Sequence, residues 1–203
     1  MSITDDIAAT RRFFGPLAET WEQEGQPDEA LIAWAVPLIG VRPGDVVLDV
    51  GCGTGRAQPA LRAATGPGGR LVGVDVTEPM LRTAARLGRD RLAHLLLADA
   101  CALPVADRCT DVVFAGGLLP HLRDPALAVT EFRRVCRPKA RLAVFHPLSR
   151  RQLVRVHDGL DARDHLLAPG RLAALLAAGG WQVEQIHDLA DRYLAVATAA
   201  SSV

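Results

Sequence analysis

Apolar positions along the chain follow two rhythms. Short runs rich in valine and leucine recur at 46–50, 70–75, 92–97, 110–115, 181–186 and 193–198. Runs of this length and composition predict buried β-strands. Between them apolar residues recur at helical spacing: Met80, Leu81, Ala84 and Ala85 after Thr77, Ala128, Phe132 and Val135 after Asp124-Pro125, and Leu172, Leu175 and Leu176 after Pro169, with Gly179-Gly180 as a stop. A further helix runs from the glycine-rich turn at 51–55 to about Ala64, with Pro59 tolerable only in its first turns. Before the first strand, 4–39 reads as helical: Thr4 as cap with Asp5 and Asp6 behind it, a break at Gly15-Pro16, and a second helix capped by Asp28 and stopped or kinked near Pro37. Strands alternating with helices predict an α/β fold with a mostly parallel sheet between two helical layers.

Composition narrows the class. The 203 residues suit one domain, divided here into an N-terminal helical cap segment, 1–40, and a sheet-bearing part, 41–203. Lys and Arg together number 23, equal to Asp and Glu, which removes the basic excess expected of a phosphate-backbone binder, so no nucleic-acid partner is expected. The acidic start Met1-Ser2-Ile3-Thr4-Asp5-Asp6 lacks a secretory pattern, and no apolar run approaches about 20 residues. A cytoplasmic protein without a membrane partner is the expectation. Cys52, Cys101, Cys109 and Cys136 form no C-x-x-C pair, which disfavours a disulfide framework and a zinc site, and no metal is expected.

The chemistry concentrates at Val46-Val47-Leu48-Asp49-Val50-Gly51-Cys52-Gly53-Thr54-Gly55-Arg56. A buried strand ends in an acid, three alternate glycines follow, and a helix begins. Glycine tolerates positive φ and lacks Cβ, so backbone can approach a ligand there. A dinucleotide fingerprint needs a glycine where Arg56 stands. The next strand ends in Asp75, 20 residues after Gly55, where a carboxylate can take the hydroxyls of a ribose lying on the first loop. Asp99 follows the third strand and can reach the same crevice, while a surface acid is the simpler alternative for Asp75.

Asp49-x-Gly51-x-Gly53-x-Gly55 resembles the first motif of class I S-adenosylmethionine (SAM) methyltransferases. The segment 97–104, Leu-Ala-Asp-Ala-Cys-Ala-Leu-Pro, is similar to that family's G-D-A-x-x-L-P, with Ala98 for the glycine. Residues 134–145 resemble its R-V-L-x-P-G-G-x-L turn and fifth strand, with Lys139 and Ala140 where two glycines are usual, so a different turn geometry is expected there. The resemblance covers roughly residues 10 to 200 and is to the small-molecule type, similar to the methyltransferases of ubiquinone and menaquinone biosynthesis. It implies a three-layer αβα sandwich whose seven-stranded sheet is closed by an antiparallel strand. It also implies SAM as cofactor, S-adenosylhomocysteine as product, and methyl transfer to an oxygen, nitrogen or carbon nucleophile of a small-molecule acceptor. The methionine part would lie against Gly51, Gly53 and Gly55, the ribose on Asp75 and the adenine near Asp99 and Ala100, with Asp49, Cys52, Thr54, Val76, Met80, Ala115 and Gly116 as further cofactor-binding candidates. N-terminal helices fold over the cofactor in such proteins, which makes Phe14 and Trp21 candidate pocket residues; ordinary helix packing is the alternative.

His121, after the fourth strand, and His146, after the fifth, are the candidate catalytic residues on the acceptor side. A histidine near neutral pKa can take a proton from a hydroxyl or amine; it can equally cap a helix or line a wall. Segment 146–167, with Arg150, Arg151, Arg155, His157, Asp158, Asp161, Arg163, Asp164 and His165, is where substrate choice is expected, a solvated charged loop being the plain alternative. It is too short for a separate cap domain, which leaves a small site or one completed by a second subunit of a homodimer. Three rivals stand. A nucleic-acid methyltransferase of the amino-directed type would carry Asn/Asp-Pro-Pro-aromatic where Ala115-Gly116-Gly117-Leu118 stands. A nicotinamide oxidoreductase conflicts with Arg56. A SAM-fold protein with a non-methylating reaction, or a binding module, stays open.

Overall fold

Seven strands form one sheet in the order β3-β2-β1-β4-β5-β7-β6. The structure, a computed structural model, describes residues 7–24, 28–156 and 165–200. The strands are β1 (Val46–Val50), β2 (Arg70–Asp75), β3 (His94–Leu97), β4 (Thr110–Gly116), β5 (Cys136–His146), β6 (Trp181–Asp188) and β7 (Tyr193–Ala199). Pairing is parallel from β3 through β5, and β7 runs antiparallel to both β5 and β6. This is the expected sheet with one antiparallel strand. The order reverses beside β1, so the carboxyl ends of β1 and β4 diverge into a crevice, the usual ligand position in an open α/β sheet.

The helices are α1 (Ile7–Phe14), α2 (Trp21–Glu24), α3 (Glu29–Ile39), α4 (Gln58–Thr65), α5 (Glu78–Arg86), α6 (Pro125–Val135), α7 (Arg150–Val156) and α8 (Pro169–Ala178). Period-two alternation in β1 divides the core. Leu48 and Val50 join Phe132, Leu172, Leu176 and Trp181 on the face covered by α6 and α8, while Val47 packs with Ile32, Val36, Ile39 and Leu61 of α3 and α4. Asp49, two residues after Val47, shares that second face, which sets its carboxyl under the glycine turn. The Trp181 indole donates to Val129 O at 2.9 Å and ties β6 to α6.

Several local expectations change. Leu92 and Ala93 do not begin β3; their N–H groups donate to Arg89 O at 3.0 Å and close a 3₁₀ turn over Arg89–Arg91. Asp28 and Thr77 occupy N-cap positions without a capping bond from their side chains. The Asp28 carboxylate faces Arg56 instead, at 3.5 Å. Asp124 does cap, accepting from Leu127 N at 2.8 Å. The turn before the long part of β5 keeps left-handed backbone with Lys139 at φ 65°, so the lost glycine is absorbed as local cost, about 1–2 kcal/mol, and not as a new turn geometry. Thr4, Asp5, Asp6, the turn at 25–27, His157, Asp158, Asp161, Arg163 and Asp164 lie outside the described residues. No helix among the described residues is long and apolar enough to cross a membrane.

Candidate functional site

A cavity of about 1060 Å³ opens over the carboxyl ends of β1, β2 and β4. The strand ends supply its floor: Asp49, Gly51 and Cys52 after β1, Asp75 and Val76 after β2, Asp99 and Ala100 after β3, Gly116 and Gly117 at the end of β4, and Phe145 and His146 at the end of β5. Its roof comes from the N-terminal helices through Ile7, Thr10, Phe13, Phe14, Leu17 and Trp21. Of the candidate cofactor-binding and catalytic residues read from the sequence, all line this cavity except Gly55 and Ala115; Arg150, Arg151, Arg155 and His165, from the segment expected to choose the substrate, do not line it. Ala115 is fully buried in the sheet core. Gly55 turns the chain at φ 81° just behind the wall, where a Cβ would come within 2.7 Å of the Gln58 side chain.

The glycine turn spends its N–H groups on the protein. Gly51 N and Cys52 N donate to Val74 O at 2.8 and 3.0 Å, and Gly55 N to Cys52 O at 2.8 Å. Gly53 N donates to Asp75 Oδ2 at 2.8 Å, and Thr77 N to Asp75 Oδ1 at 2.7 Å. Those N–H groups do not point at a ligand, contrary to the simplest reading of such a loop. What the turn offers is close approach: Gly51 at φ 72° would drive a Cβ to 2.9 Å from Leu118 Cδ1. Asp75 is held at both oxygens yet keeps lone pairs for a hydroxyl pair.

The charge of the lining favours a cation. Asp28, Asp49, Asp75, Asp99 and Asp124 line the cavity against Arg56 and Arg123. Asp49 is 2% exposed and its Oδ2 has no hydrogen-bond partner. Burial, and then the charge of Asp75, push its carboxyl from 3.8 up to about 7. Burial also raises Asp75 and, through Asp49 and Asp75 as well, the Cys52 thiol. A dinucleotide pyrophosphate would meet these carboxylates where the Gly51, Cys52, Gly53 and Gly55 amides are already spent on the protein; a cationic ligand would neutralise them.

The two histidines differ. His121 sits edge-on to Phe14 with ring centroids 5.4 Å apart, and Phe14 in turn meets Trp21 at 5.8 Å. His146 is 7% exposed and its Nδ1 accepts from Leu148 N at 3.0 Å, so in the neutral ring the proton lies on Nε2. Among described residues no group of three or more His, Cys, Asp or Glu side chains could hold a metal.

Sequence reading missed Glu22, Arg56 and Arg89. Thr54 Oγ1 donates to Glu22 Oε1 at 2.5 Å, Arg56 Nε to the same oxygen at 3.2 Å, and Arg89 Nη1 and Nη2 to the two Glu22 oxygens at 3.2 Å each. Burial alone would raise the Glu22 carboxyl, but the hydrogen bonds from Arg89 and Thr54 outweigh it and hold it low. These residues lie 32 to 67 positions apart, and no local pattern pairs them. Leu118, against Gly51, and Arg11, whose Nε donates to Val76 O at 2.8 Å, were missed for the same reason.

Known proteins resemble this chain in sequence and in fold. Residues 48–144 match the methyltransferase domain family, just under half of the chain. The ubiquinone/menaquinone biosynthesis C-methyltransferase UbiE of Burkholderia mallei is 38% identical over 118 residues, 55% of this chain and 47% of that protein. The chain thus spans less than half the length of the curated relatives it matches. A SAM-dependent methyltransferase from Aquifex aeolicus superposes with a TM-score of 0.75 at 20% identity, covering 90% of this chain and 98% of that one. The [4+2]-cyclase SpnF superposes with a TM-score of 0.76 at 18% identity, covering 98% of both chains.

Proposed function

We propose that the protein is a class I SAM-dependent methyltransferase that transfers the methyl group of SAM to a small, largely apolar acceptor, a reading supported by the match of residues 48–144 to the methyltransferase domain family and by the seven-stranded sheet. The observation that carries the cofactor is the uncompensated Asp49 carboxyl beside Asp75 under the glycine turn. SAM bears a sulfonium, an ammonium and one carboxylate, a net positive charge, and so suits that wall. Asp49 would face the ammonium, Asp75 the ribose hydroxyls through the lone pairs left by Gly53 and Thr77, and Asp99 and Ala100 the adenine. Thr54, Cys52 and Gly53 would flank the methionine part, Val76 and Met80 the ribose, and Phe14 and Trp21 would close the roof. Residues 1–40 are proposed as the cap.

The bound cofactor supplies an electrophilic methyl carbon; the chain supplies alignment and exclusion of water. A cavity at the upper end of the 300–1,000 Å³ or so usual for one ligand leaves room for an acceptor. Ile7, Phe13, Leu17, Leu122, Phe145 and Leu148 add apolar surface to the lining, which favours an acceptor with an apolar body, since charged groups would lose hydration against it. His146, donating from Nε2, is assigned to hold an acceptor oxygen. His121 is assigned to take the acceptor's proton where the nucleophile is protonated. Four free cysteines fit a reducing compartment, and the cytoplasm is the proposed location.

Calorimetric titration with SAM and S-adenosylhomocysteine tests the cofactor, and failure of both to bind folded protein would remove it. Methyl-labelled SAM with a panel of apolar hydroxylated and enolic acceptors tests the transfer. SpnF has this fold and is a cyclase, so the fold leaves the chemistry to the site. Label that stays with SAM under every acceptor would point to a non-methylating role.

A further inference from the structure

Among the described residues, polar contacts fasten the N-terminal roof to the rest of the molecule at Arg11 and around Glu22, besides the edge-on contact of Phe14 with His121. On α1, Arg11 reaches Val76 O. On α2, one carboxylate carries the attachment: Glu22 accepts from Thr54 and Arg56 of the glycine turn and from Arg89 beyond α5. Arg89 also donates to Thr54 O at 2.6 Å, and Arg56 donates through Nη2 to Trp21 O. The guanidinium side chains of Arg56 and Arg89 are only 13% and 12% exposed, and Glu22 30%. Glu22 itself does not line the cavity, whereas Thr54, Arg56 and Trp21 do.

A ligand held between the turn and the roof is covered there by α2, and its way out widens if the roof lifts or the turn deforms. Both are resisted by the same carboxylate. We infer that Glu22 is a positioning residue that locks α2 onto the glycine turn and thereby sets the residence time of the bound cofactor and its demethylated product. The inference rests on the proposed SAM site. Removing the charge while keeping the side chain's shape leaves two guanidiniums facing each other across a neutral amide, so the lock loosens without creating a hole.

The test compares wild type with Glu22→Gln, Arg89→Met and the double variant. Amide hydrogen exchange of the ligand-free protein reads the lock, and stopped-flow displacement of S-adenosylhomocysteine reads residence. In Glu22→Gln, exchange in 7–24 should accelerate about tenfold while β1, β4 and β5 keep their protection. Product dissociation should quicken by a similar factor, the equivalent of about 1.4 kcal/mol, a modest share for charge-assisted bonds still open to solvent. KM for SAM should rise while kcat holds or increases. The double variant should be little worse than either single one, because both break one network. Added salt should speed dissociation from wild type but hardly from Glu22→Gln. Faster exchange spread over the whole sheet would make Glu22 a general stabiliser and overturn the inference, as would faster exchange in 7–24 with unchanged dissociation. A wild-type protein that binds neither SAM nor its product overturns the cofactor reading and the residence role with it, while the exchange comparison still decides whether the lock exists.

Discussion

Asp49→Asn should raise the stability of the ligand-free protein and weaken its cofactor binding. The wild-type carboxyl titrates at about 7 in the folded chain, because burial and then Asp75 oppose its charge, against an ordinary 3.8. Below about pH 4 it is protonated in folded and unfolded chains alike and contributes nothing. Between these values the folded chain holds a proton that the unfolded chain has lost, so stability falls as pH rises. Above about 7 both forms are ionised and the full cost stands, about 4 kcal/mol at 1.36 kcal/mol per pH unit. Asparagine has the same shape and no charge to bury. Its gain should therefore approach about 4 kcal/mol at pH 8, shrink to about 2 kcal/mol at pH 5 and vanish near pH 4. Urea denaturation of both proteins at these pH values measures it. An equal gain at pH 5 and pH 8, or none at pH 8, would refute the reasoning. Cofactor affinity should move the other way. Loss of a charged partner for the ammonium costs about 1.5–3 kcal/mol, roughly 10- to 150-fold in Kd. Wild-type affinity should fall about tenfold from pH 7.5 to pH 6 as Asp49 takes up its proton, a limb absent from the variant.

Asp75→Ala removes the acceptor that holds Gly53 N and Thr77 N as well as the proposed ribose contact, and SAM affinity should drop about 100-fold by calorimetry; unchanged binding would retract the ribose assignment. Gly73→Ala places a methyl group 2.5 Å from Gln58 Nε2 and 3.1 Å from Cys52 Sγ, so thermal unfolding should show a loss of about 1–3 kcal/mol from overpacking beneath the turn. Asp124→Ala deletes the bond to Leu127 N and should cost about 1 kcal/mol in urea denaturation.

The repeating pattern of the chain determined most of the architecture. Alternation in β1 forces Leu48 and Val50 to one face and Val47 and Asp49 to the other, and helical spacing on α6 and α8 turns Phe132, Leu172 and Leu176 inward. Because strand ends collect on one edge of a parallel sheet, the carboxylates at 49, 75 and 99 meet without any knowledge of packing. Boundaries were less readable where two local solutions compete, as at Leu92, which closes a 3₁₀ turn instead of starting β3, and at Lys139, which accepts left-handed backbone. Only the tertiary structure decided that the turn's amides are spent on Val74 O and Asp75, that Asp49 ionises near neutrality, and that Glu22 joins Thr54 to Arg89. The reason is physical. Backbone periodicity and burial act over a few residues and leave a signature in the order of side chains, whereas desolvation and ion pairing between groups 32 to 67 residues apart exist only once the chain has packed.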